Sequence, residues 1–274
     1  MRRFLFGLLC CLPFFAEAQE HRFSHCLAIA EAAPGLTYLH KASLPQIEED
    51  YAVRLHLLGH ASFLVQTQGG QTAVTDYSGH QGAGVFVPDI VTMNNIHRGH
   101  WTPNPDPAIA HVLQGWGETK GAGVQHYVNL GELVVRNVPT DIVSASLGRT
   151  ENANSIFVFE AEGLCIGHLG HLHHEPDAQQ YAALGRLDVA MVPVGDGYTL
   201  PQDDMVRMLE RLNTKLILPM HWFNEAHLIN FLSDLAGDFA IDRRDSSALE
   251  VSLRTLPEEP TIVVLTPDPL NEDS

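Results

Sequence analysis

The strongest constraint on this chain is a predicted buried strand that runs directly into a cluster of histidines. The apolar run Asn154 to Glu160 and the run Leu164 to Gly167 predict two strands joined by a Glu-Gly turn. Four histidines follow within seven residues, at positions 168, 171, 173 and 174. Glycines in this segment leave space around the backbone, so we expect the imidazoles on a loop at the end of a buried strand. Neutral imidazole is a common ligand of Zn²⁺ and related metals, so the segment predicts a metal site; a histidine-rich surface loop is the alternative.

Further candidate ligands stand at the ends of other predicted strands. A metal is the usual reason for a fold to gather imidazoles and carboxylates from separate strand ends into one buried site. The residues are His60 between strands predicted over 51–58 and 61–67, Asp76 at the end of 71–77, His97 and His100 after 85–93, Asp141 after 132–138, and His221 directly after 215–220.

The remaining pattern predicts helices and a long covering loop. Helical spacing and capping residues predict helices over 23–33, 177–184, 201–212 with Thr199 as the cap, and 225–235. Further strands are expected over 124–128, 188–194, 249–253 and 261–265. The Pro- and Gly-rich region from Thr102 to Gly123, which contains Trp116, is expected to cover the site and shape substrate access; ordinary surface packing is the alternative.

The amino terminus predicts export. Arg2 and Arg3 precede an apolar run, and Ala16-Glu-Ala18 matches an A-x-A cleavage signal, so residues 1–18 are predicted to be a signal peptide. The apolar run is too short to span a membrane, and no lipid anchor is expected. We therefore expect an exported, periplasmic protein whose residues 19–274 form a single domain, since 45% of the chain is hydrophobic and no linker divides it.

Charge and cysteine content bear on partners and compartment. A formal charge of −17 argues against nucleic acid or an anionic membrane as partner. The expected partner is a small-molecule substrate, and oligomeric state is not predicted. Two cysteines, Cys26 and Cys165, lie outside the predicted signal peptide. They could form a disulfide in an oxidising compartment, but Cys165 lies in a predicted core strand and is interpreted as a small buried hydrophobe.

The order of these motifs resembles the metallo-β-lactamase superfamily, in its branch of ascorbate-6-phosphate-lactonase-like and N-acyl-phosphatidylethanolamine phospholipase D-like hydrolases. Residues 58–65 resemble the opening strand pair of that branch and 73–76 its strand ending in Asp. Residues 167–171 resemble its G-H-x-G-D segment, and 218–222 the segment with the last ligand. The resemblance covers about residues 52–224 and implies an α/β fold with α+β layering, an αββα sandwich with a metal site at one edge between its two sheets.

The metal-binding motifs of the family are altered in this chain. The family's central loop is H-x-H-x-D-H, whereas residues 95–100 lack its first His and have Gly99 in place of its Asp. His171 stands where the family has a metal-bridging Asp, and the family's mid-chain His has only Asp141 nearby as a replacement. The ligand set that remains is His97, His100, His171 and His221, with Asp141 beside them as ligand or base.

Three or four neutral imidazoles suffice for one Zn²⁺ ion, or Mn or Fe in its place, whereas a second ion would lack carboxylates. Our leading hypothesis is an exported hydrolase in which a metal-bound hydroxide attacks an ester, lactone or phosphodiester. A degenerate, non-catalytic relative that binds a metal or small ligand is the second hypothesis, and a metal-sequestering protein the third.

Further roles are predicted around the ligands. In the leading hypothesis Asp141 or Asp76 is the general base, or His168 shuttles the proton. Tyr198 and Trp116 are expected to contact substrate, with buried aromatic packing as the alternative for Trp116. His60 and Asp76 are expected to support the ligands from behind, although packing roles for His60 and His168 are the alternative.

Overall fold

The computed structural model describes residues 24–27, 44, 46–79, 86–144, 148–194 and 197–270. Within those ranges the chain forms fourteen strands and three helices, and none of these helices is long and apolar enough to cross a membrane. The predicted signal peptide lies outside the described residues. Of the helix predicted over 23–33, only 24–27 are described, and 25–27 form a turn.

The elements follow one another in mixed order. The strands are β1 Val53–Gly59, β2 Ser62–Gln66, β3 Thr72–Val74, β4 Ile90–Met93, β5 His111–Gln114, β6 Tyr127–Asn129, β7 Val134–Ser144, β8 Gly148–Ala161, β9 Leu164–His168, β10 Val189–Pro193, β11 Leu216–Met220, β12 Ala240–Arg243, β13 Ala248–Val251 and β14 Thr261–Val264. The helices are α1 Ala178–Leu184, α2 Gln202–Arg211 and α3 Glu225–Leu235.

These strands form two sheets. The first has the order β13-β1-β2-β3-β4-β5, and the second has the order β12-β14-β11-β10-β9-β8-β7-β6. Apolar side chains from both sheets, among them Phe63 and Ile90 of the first and Phe157, Phe159 and Met191 of the second, share one buried cluster. The two sheets therefore pack face to face around the main core, as expected.

The outer faces of the two sheets are covered differently. A second apolar cluster joins the other face of the second sheet to all three helices. The outer face of the first sheet packs instead on loop side chains, including Tyr77, Trp101, Trp116 and Leu270. The layered α/β architecture is thus confirmed, with a helical layer on the second sheet in the described part of the chain.

The parallel strands of the second sheet bring distant segments to one edge. Strands β9, β10, β11 and β14 pair in parallel, so their carboxyl ends lie on the same side. There β9 ends at His168 and β11 is followed by His221. A bridge between Asn95 and Asn154 holds the loop after β4 against β8, which brings the first sheet's loop to the same edge.

Two strands and one cap were not predicted correctly. Strand β5 lies inside the region expected to be a covering loop, and β12 is mostly exposed. Both are edge strands with little apolar alternation, so their sequences carry a weak strand signal. The predicted Thr199 cap is wrong, because α2 begins after Pro201 without a side-chain cap, whereas Asp177 caps α1 in a capping box.

The interpretation of Cys165 as an unpaired buried hydrophobe is also wrong. Cys165 is fully buried in β9, but it is disulfide-bonded to Cys26. The segment around Cys26 is anchored further by Ser24, whose hydroxyl donates to the buried carboxylate of Glu160. Arg136 donates to the same carboxylate at 2.7 Å, so the charge of Glu160 is paired.

Candidate metal centre

Five histidines from four segments converge at the edge between the two sheets. His60 lies in the turn between β1 and β2, and His97 and His100 lie in the loop after β4. His171 follows β9 and His221 follows β11. Neighbouring rings lie close together, with centroid separations of 4.4 Å for His60 and His221, 5.0 Å for His100 and His221, and 5.5 Å for His97 and His171.

The five imidazoles form two overlapping groups with the spacing of metal ligands. His60, His100 and His221, here called the His60 triad, have ligand nitrogens within 4.8 Å of one another. His97, His100 and His171, the His97 triad, meet the same limit. His100 belongs to both groups, so it is the centre of the cluster.

Asp76 orients His100 from behind. Its carboxylate is fully buried, lies 2.5 Å from Nδ1 of His100 and accepts the backbone N–H of Asn94 at 3.2 Å. Burial disfavours the charged forms of both Asp76 and His100, but each residue stabilises the charged form of the other. The pKa of Asp76 is therefore lowered and that of His100 is raised. With Nδ1 engaged, only Nε2 of His100 remains for the cluster, and that buried atom has no hydrogen-bond partner among the described residues.

His221 lies almost fully buried in the cluster. It is 1% exposed, and neither ring nitrogen has a hydrogen-bond partner within the described ranges. Burial, with help from the nearby His60, lowers its pKa to about 3. A buried imidazole without any partner is costly, so its two nitrogens call for a ligand.

His171 is also held neutral. Burial and the neighbouring His221 and His100 lower its pKa to about 2. Its Nδ1 lies 2.7 Å from Nε2 of His173, and its backbone N–H donates to Asn154 at 3.0 Å. These contacts fix the ring and leave Nε2 for an ion. His173 was part of the predicted histidine cluster without an assigned role, and the structure makes it the partner of His171.

His168 lies behind the cluster and belongs to neither triad. Its Nε2 donates to the carbonyl of Ala61 at 2.8 Å, and its Nδ1 accepts from the side chain of Asn94 at 3.1 Å. Burial lowers its pKa, with Asp76 opposing that effect. Since both nitrogens are engaged, His168 joins β9 to the β1–β2 turn and the loop after β4, which is not the position expected of a proton shuttle.

Asp141 is likewise outside both triads. Its carboxylate accepts from Arg149 and from the backbone N–H of Asn152, the latter at 2.8 Å. Its own N–H donates to His174 at 3.0 Å. The structure therefore places Asp141 in a network that holds the β7–β8 hairpin, and does not bring it to the cluster as the expected ligand or base.

Two exposed aromatic side chains, Phe223 and Tyr198, lie at the rim of the cluster, whereas Trp116 packs on the outer face of the first sheet. Phe223, which the sequence did not single out, is exposed, and its ring lies 5.1 Å from that of His221 and 5.9 Å from that of His60. Tyr198 is exposed beside it, with ring centroids 6.1 Å apart. Trp116 packs on Trp101 at 6.0 Å, in the apolar cluster on the outer face of the first sheet.

A groove borders the loop of His97 and His100. It has a volume of about 420 Å³ and is lined by Ser78, Arg98, Gly99, Trp101 and Pro103. Arg98 is exposed there, between His97 and His100 in the sequence of the loop. The groove therefore offers a cationic side chain next to the cluster.

Known proteins that are similar in sequence to this chain include metal-dependent hydrolases. A UPF0173 metal-dependent hydrolase of Methanoculleus marisnigri is 28% identical over 184 residues, covering 62% of this chain and 81% of that protein. A second UPF0173 metal-dependent hydrolase, of Archaeoglobus fulgidus, is 26% identical. The matched region covers 62% of this chain and 83% of that protein.

Solved structures share the fold. A Thermotoga maritima structure described as a Zn-dependent hydrolase of the metallo-beta-lactamase superfamily has a TM-score of 0.56 and 26% identity, covering 78% of this chain and 98% of that one. Igni18, a metallo hydrolase of Ignicoccus hospitalis, has the same fold with a TM-score of 0.51 and 15% identity, covering 80% of this chain and 96% of that one.

The family model for the beta-lactamase superfamily domain matches residues 54–221, which is more than half of the chain. That range contains every histidine of the two triads. The protein therefore belongs to the family of the beta-lactamase superfamily domain.

Proposed function

We propose that this protein is a metal-dependent hydrolase that binds a divalent ion, Zn²⁺ or a similar transition metal, in its histidine cluster. The proposed ligand set is His97, His100, His171 and His221, and the proposed substrates are small esters, lactones or phosphodiesters. The observation that carries the proposal is the set of buried imidazole nitrogens without a partner, Nε2 of His100 and both nitrogens of His221. Buried polar atoms are normally satisfied, and one ion would satisfy Nε2 of His100 and one of the two nitrogens of His221.

The donor set fits a transition metal better than Mg²⁺ or Ca²⁺. Every member of the two triads is an imidazole, whereas Mg²⁺ and Ca²⁺ prefer oxygen ligands. The lowered pKa values of His171 and His221 keep these imidazoles neutral at neutral pH, and only a neutral imidazole can bind a metal. When bound, such an ion supplies Lewis acidity and lowers the pKa of a coordinated water.

The residues of the chain supply orientation and binding. Asp76 fixes the ring of His100, His173 fixes that of His171, and His168 ties the surrounding turns together. Exposed Arg98 beside the groove is suited to an anionic group of a substrate, and Phe223 and Tyr198 are suited to an apolar one.

Export of the protein remains part of the proposal. It is supported by the predicted signal peptide and by the disulfide between Cys26 and Cys165, because disulfides persist in oxidising compartments. Secretion of a tagged full-length chain, with and without residues 1–18, would test it.

The activity is tested with a panel of phosphodiesters, lactones and esters on metal-loaded protein. We expect turnover in the wild type and a loss of about 100-fold or more in His171→Ala and His221→Ala, since even residues that only support metal ligands contribute 10–100-fold. His111→Ala, on edge strand β5 and in neither triad, is the matched control and should retain activity. Turnover that survives both ligand variants would refute the proposal.

A non-catalytic metal-binding protein is the second candidate. The observation in its favour is Gly99, which leaves the central loop without the carboxylate that its resemblance to the family predicts. Metal binding by the wild type with no turnover of any substrate class would favour this candidate. Sequestration of several ions is disfavoured because the two triads share the single available nitrogen of His100.

A further inference from the structure

The ring of His60 lies beside Gly99, within contact distance of the position that a Cβ atom would take there. A Cβ atom built on Gly99 would lie 3.5 Å from Cδ2 and 3.8 Å from Nε2 of His60. A side chain at position 99 would therefore point towards the edge of the His60 imidazole that carries Nε2. A nitrogen donor, Nε2 of His60, therefore lies close to the place where the family resemblance predicts a carboxylate.

The structure assigns His60 to the ion itself and not to a supporting position behind the ligands: we propose that His60 is a metal ligand, which with His100 and His221 forms the primary ion position and supplies the donor that Gly99 cannot. This inference rests on the proposed metal dependence. It differs from the ligand set above, in which His60 has no direct contact with the ion.

The unpaired nitrogens favour the His60 triad over the His97 triad. Two residues of the cluster, His100 and His221, have buried imidazole nitrogens without a hydrogen-bond partner in the described part of the chain, and both are members of the His60 triad. An ion in the His60 triad would bind one nitrogen of each of these two residues. An ion in the His97 triad would satisfy His100 but leave His221, 1% exposed, without any partner.

The shared ligand limits the cluster to one fully ligated triad. Nδ1 of His100 lies 2.5 Å from Asp76, so His100 offers one nitrogen, and one imidazole nitrogen binds one ion. His171 lies near the His60 triad, its ring centroid 4.9 Å from that of His221. It is therefore the natural fourth protein neighbour of the ion. His60 and His97 are both exposed, so exposure does not distinguish the two triads.

The turn that carries His60 is fixed by two hydrogen bonds, one to His60 itself and one to the next residue. The carbonyl of His60 accepts the backbone N–H of His221 at 2.8 Å, and the carbonyl of Ala61 accepts from His168 at 2.8 Å. His60 itself has a φ of 46°, a left-handed conformation that is uncommon for a residue with a side chain. A histidine kept in an unfavourable backbone conformation next to two unpaired imidazoles is consistent with a ligand and not with a chance surface residue.

The test compares metal binding by the wild type with that of His60→Asn, His97→Asn and the control His111→Ala. Asparagine tolerates the left-handed conformation, so His60→Asn preserves the turn. Affinity for Zn²⁺ is measured by competition with a chromophoric chelator, and the ligand field by the visible absorption of the Co²⁺-loaded protein. Thermal unfolding of each metal-free variant verifies that it is folded, and His60→Ala serves as a second variant.

We expect His60→Asn to weaken Zn²⁺ binding by about 100-fold or more and to change the Co²⁺ spectrum, with a smaller effect for His97→Asn and none for His111→Ala. If folded His60→Asn and His60→Ala bind Zn²⁺ within about threefold of the wild type with an unchanged Co²⁺ spectrum, the assignment of His60 is wrong while the proposed metal dependence stands. If the wild type itself binds neither ion, the proposed function fails together with the inference.

Discussion

His221 donates its backbone N–H to the carbonyl of His60 at 2.8 Å, and the two rings lie with their centroids 4.4 Å apart. This pair connects the end of β11 in the second sheet to the β1–β2 turn in the first. The histidine cluster is therefore built across the seam between the two sheets, and its geometry depends on how the sheets pack.

Asp76 should matter for metal binding although it lies behind the ligands. We predict that Asp76→Asn weakens Zn²⁺ affinity by about 10- to 100-fold, because the amide cannot supply the charge that fixes the Nδ1–H tautomer of His100. Chelator competition on purified variants would measure this change.

Asp141→Asn is the matched control for that experiment. Its carboxylate also accepts hydrogen bonds, but from Arg149 and Asn152 and not from a residue of either triad. We expect its Zn²⁺ affinity to remain within about threefold of the wild type, since it does not touch a ligand. If Asp141→Asn weakens Zn²⁺ binding as much as Asp76→Asn does, the Asp141 carboxylate affects the ion although no contact in the structure connects them.

Sequence patterns could predict the strand ends that carry chemistry. A run such as Leu216 to Met220 is apolar throughout, so both the buried strand and the position of His221 after it follow from composition and periodicity. The helix over Glu225–Leu235 was predicted with its observed bounds, because its apolar spacing and start are unambiguous.

Sequence patterns could not predict which side chains meet. His60 and Gly99 are far apart in the chain, and their contact depends on the packing of a turn against a loop. Likewise, Asp141 and His168 look like candidate catalytic residues until their hydrogen-bond partners are known. The period of the apolar residues indicates which face of a strand is buried, but it does not indicate which side chains of the two sheets contact each other.

The metal-free protein should lose stability as the pH falls. The pKa values of His171 and His221 are lowered to about 2 and about 3 in the fold, whereas both would titrate near 6.5 when unfolded. Below pH 6.5 the unfolded chain therefore binds more protons than the folded one. Stability is fully present above that pH and is lost progressively as the pH falls towards about 3.

Urea unfolding of the metal-free protein at pH 7.5 and pH 5.5 would measure this effect. Each residue contributes about 1.4 kcal/mol per pH unit below its unfolded pKa of about 6.5, and pH 5.5 lies about one unit below that value. We therefore expect the free energy of unfolding to fall by about 2–3 kcal/mol from the two residues together. His171→Asn, which cannot titrate, should show a smaller decrease. A free energy of unfolding that is equal at the two pH values would mean that these imidazoles are not held neutral by the fold.

The disulfide should contribute strongly to stability. It joins Cys26 to Cys165 across 139 residues, and closing so long a loop restricts the unfolded chain. We predict that the double variant Cys26→Ser with Cys165→Ala has a free energy of unfolding lower by about 2–5 kcal/mol, measured by urea unfolding.

Reductant provides the control for the disulfide prediction. It should bring the wild type down to the stability of the double variant and should not affect the double variant itself. Metal affinity should change little in the double variant, because Cys165 lies within β9 and is not a member of either triad, whose His171 follows the end of that strand. Wild-type stability that does not respond to full reduction would show that the bond adds nothing to the fold.

The exposed aromatic rim should act on substrate binding more than on chemistry. Phe223 lies beside His221 and His60 without being buried, so its ring is available to an apolar group of a substrate held at the ion. We predict that Phe223→Ala raises KM for an aryl ester or aryl phosphodiester by about 3- to 10-fold and changes kcat by less than about twofold, because an aromatic contact is worth about 0.5–1.5 kcal/mol.

Tyr51→Ala is the matched control, since Tyr51 is as exposed but precedes the start of β1, whereas His60 follows its end. Equal KM values for Phe223→Ala and the wild type would mean that substrate approaches the cluster from the groove beside Arg98 instead.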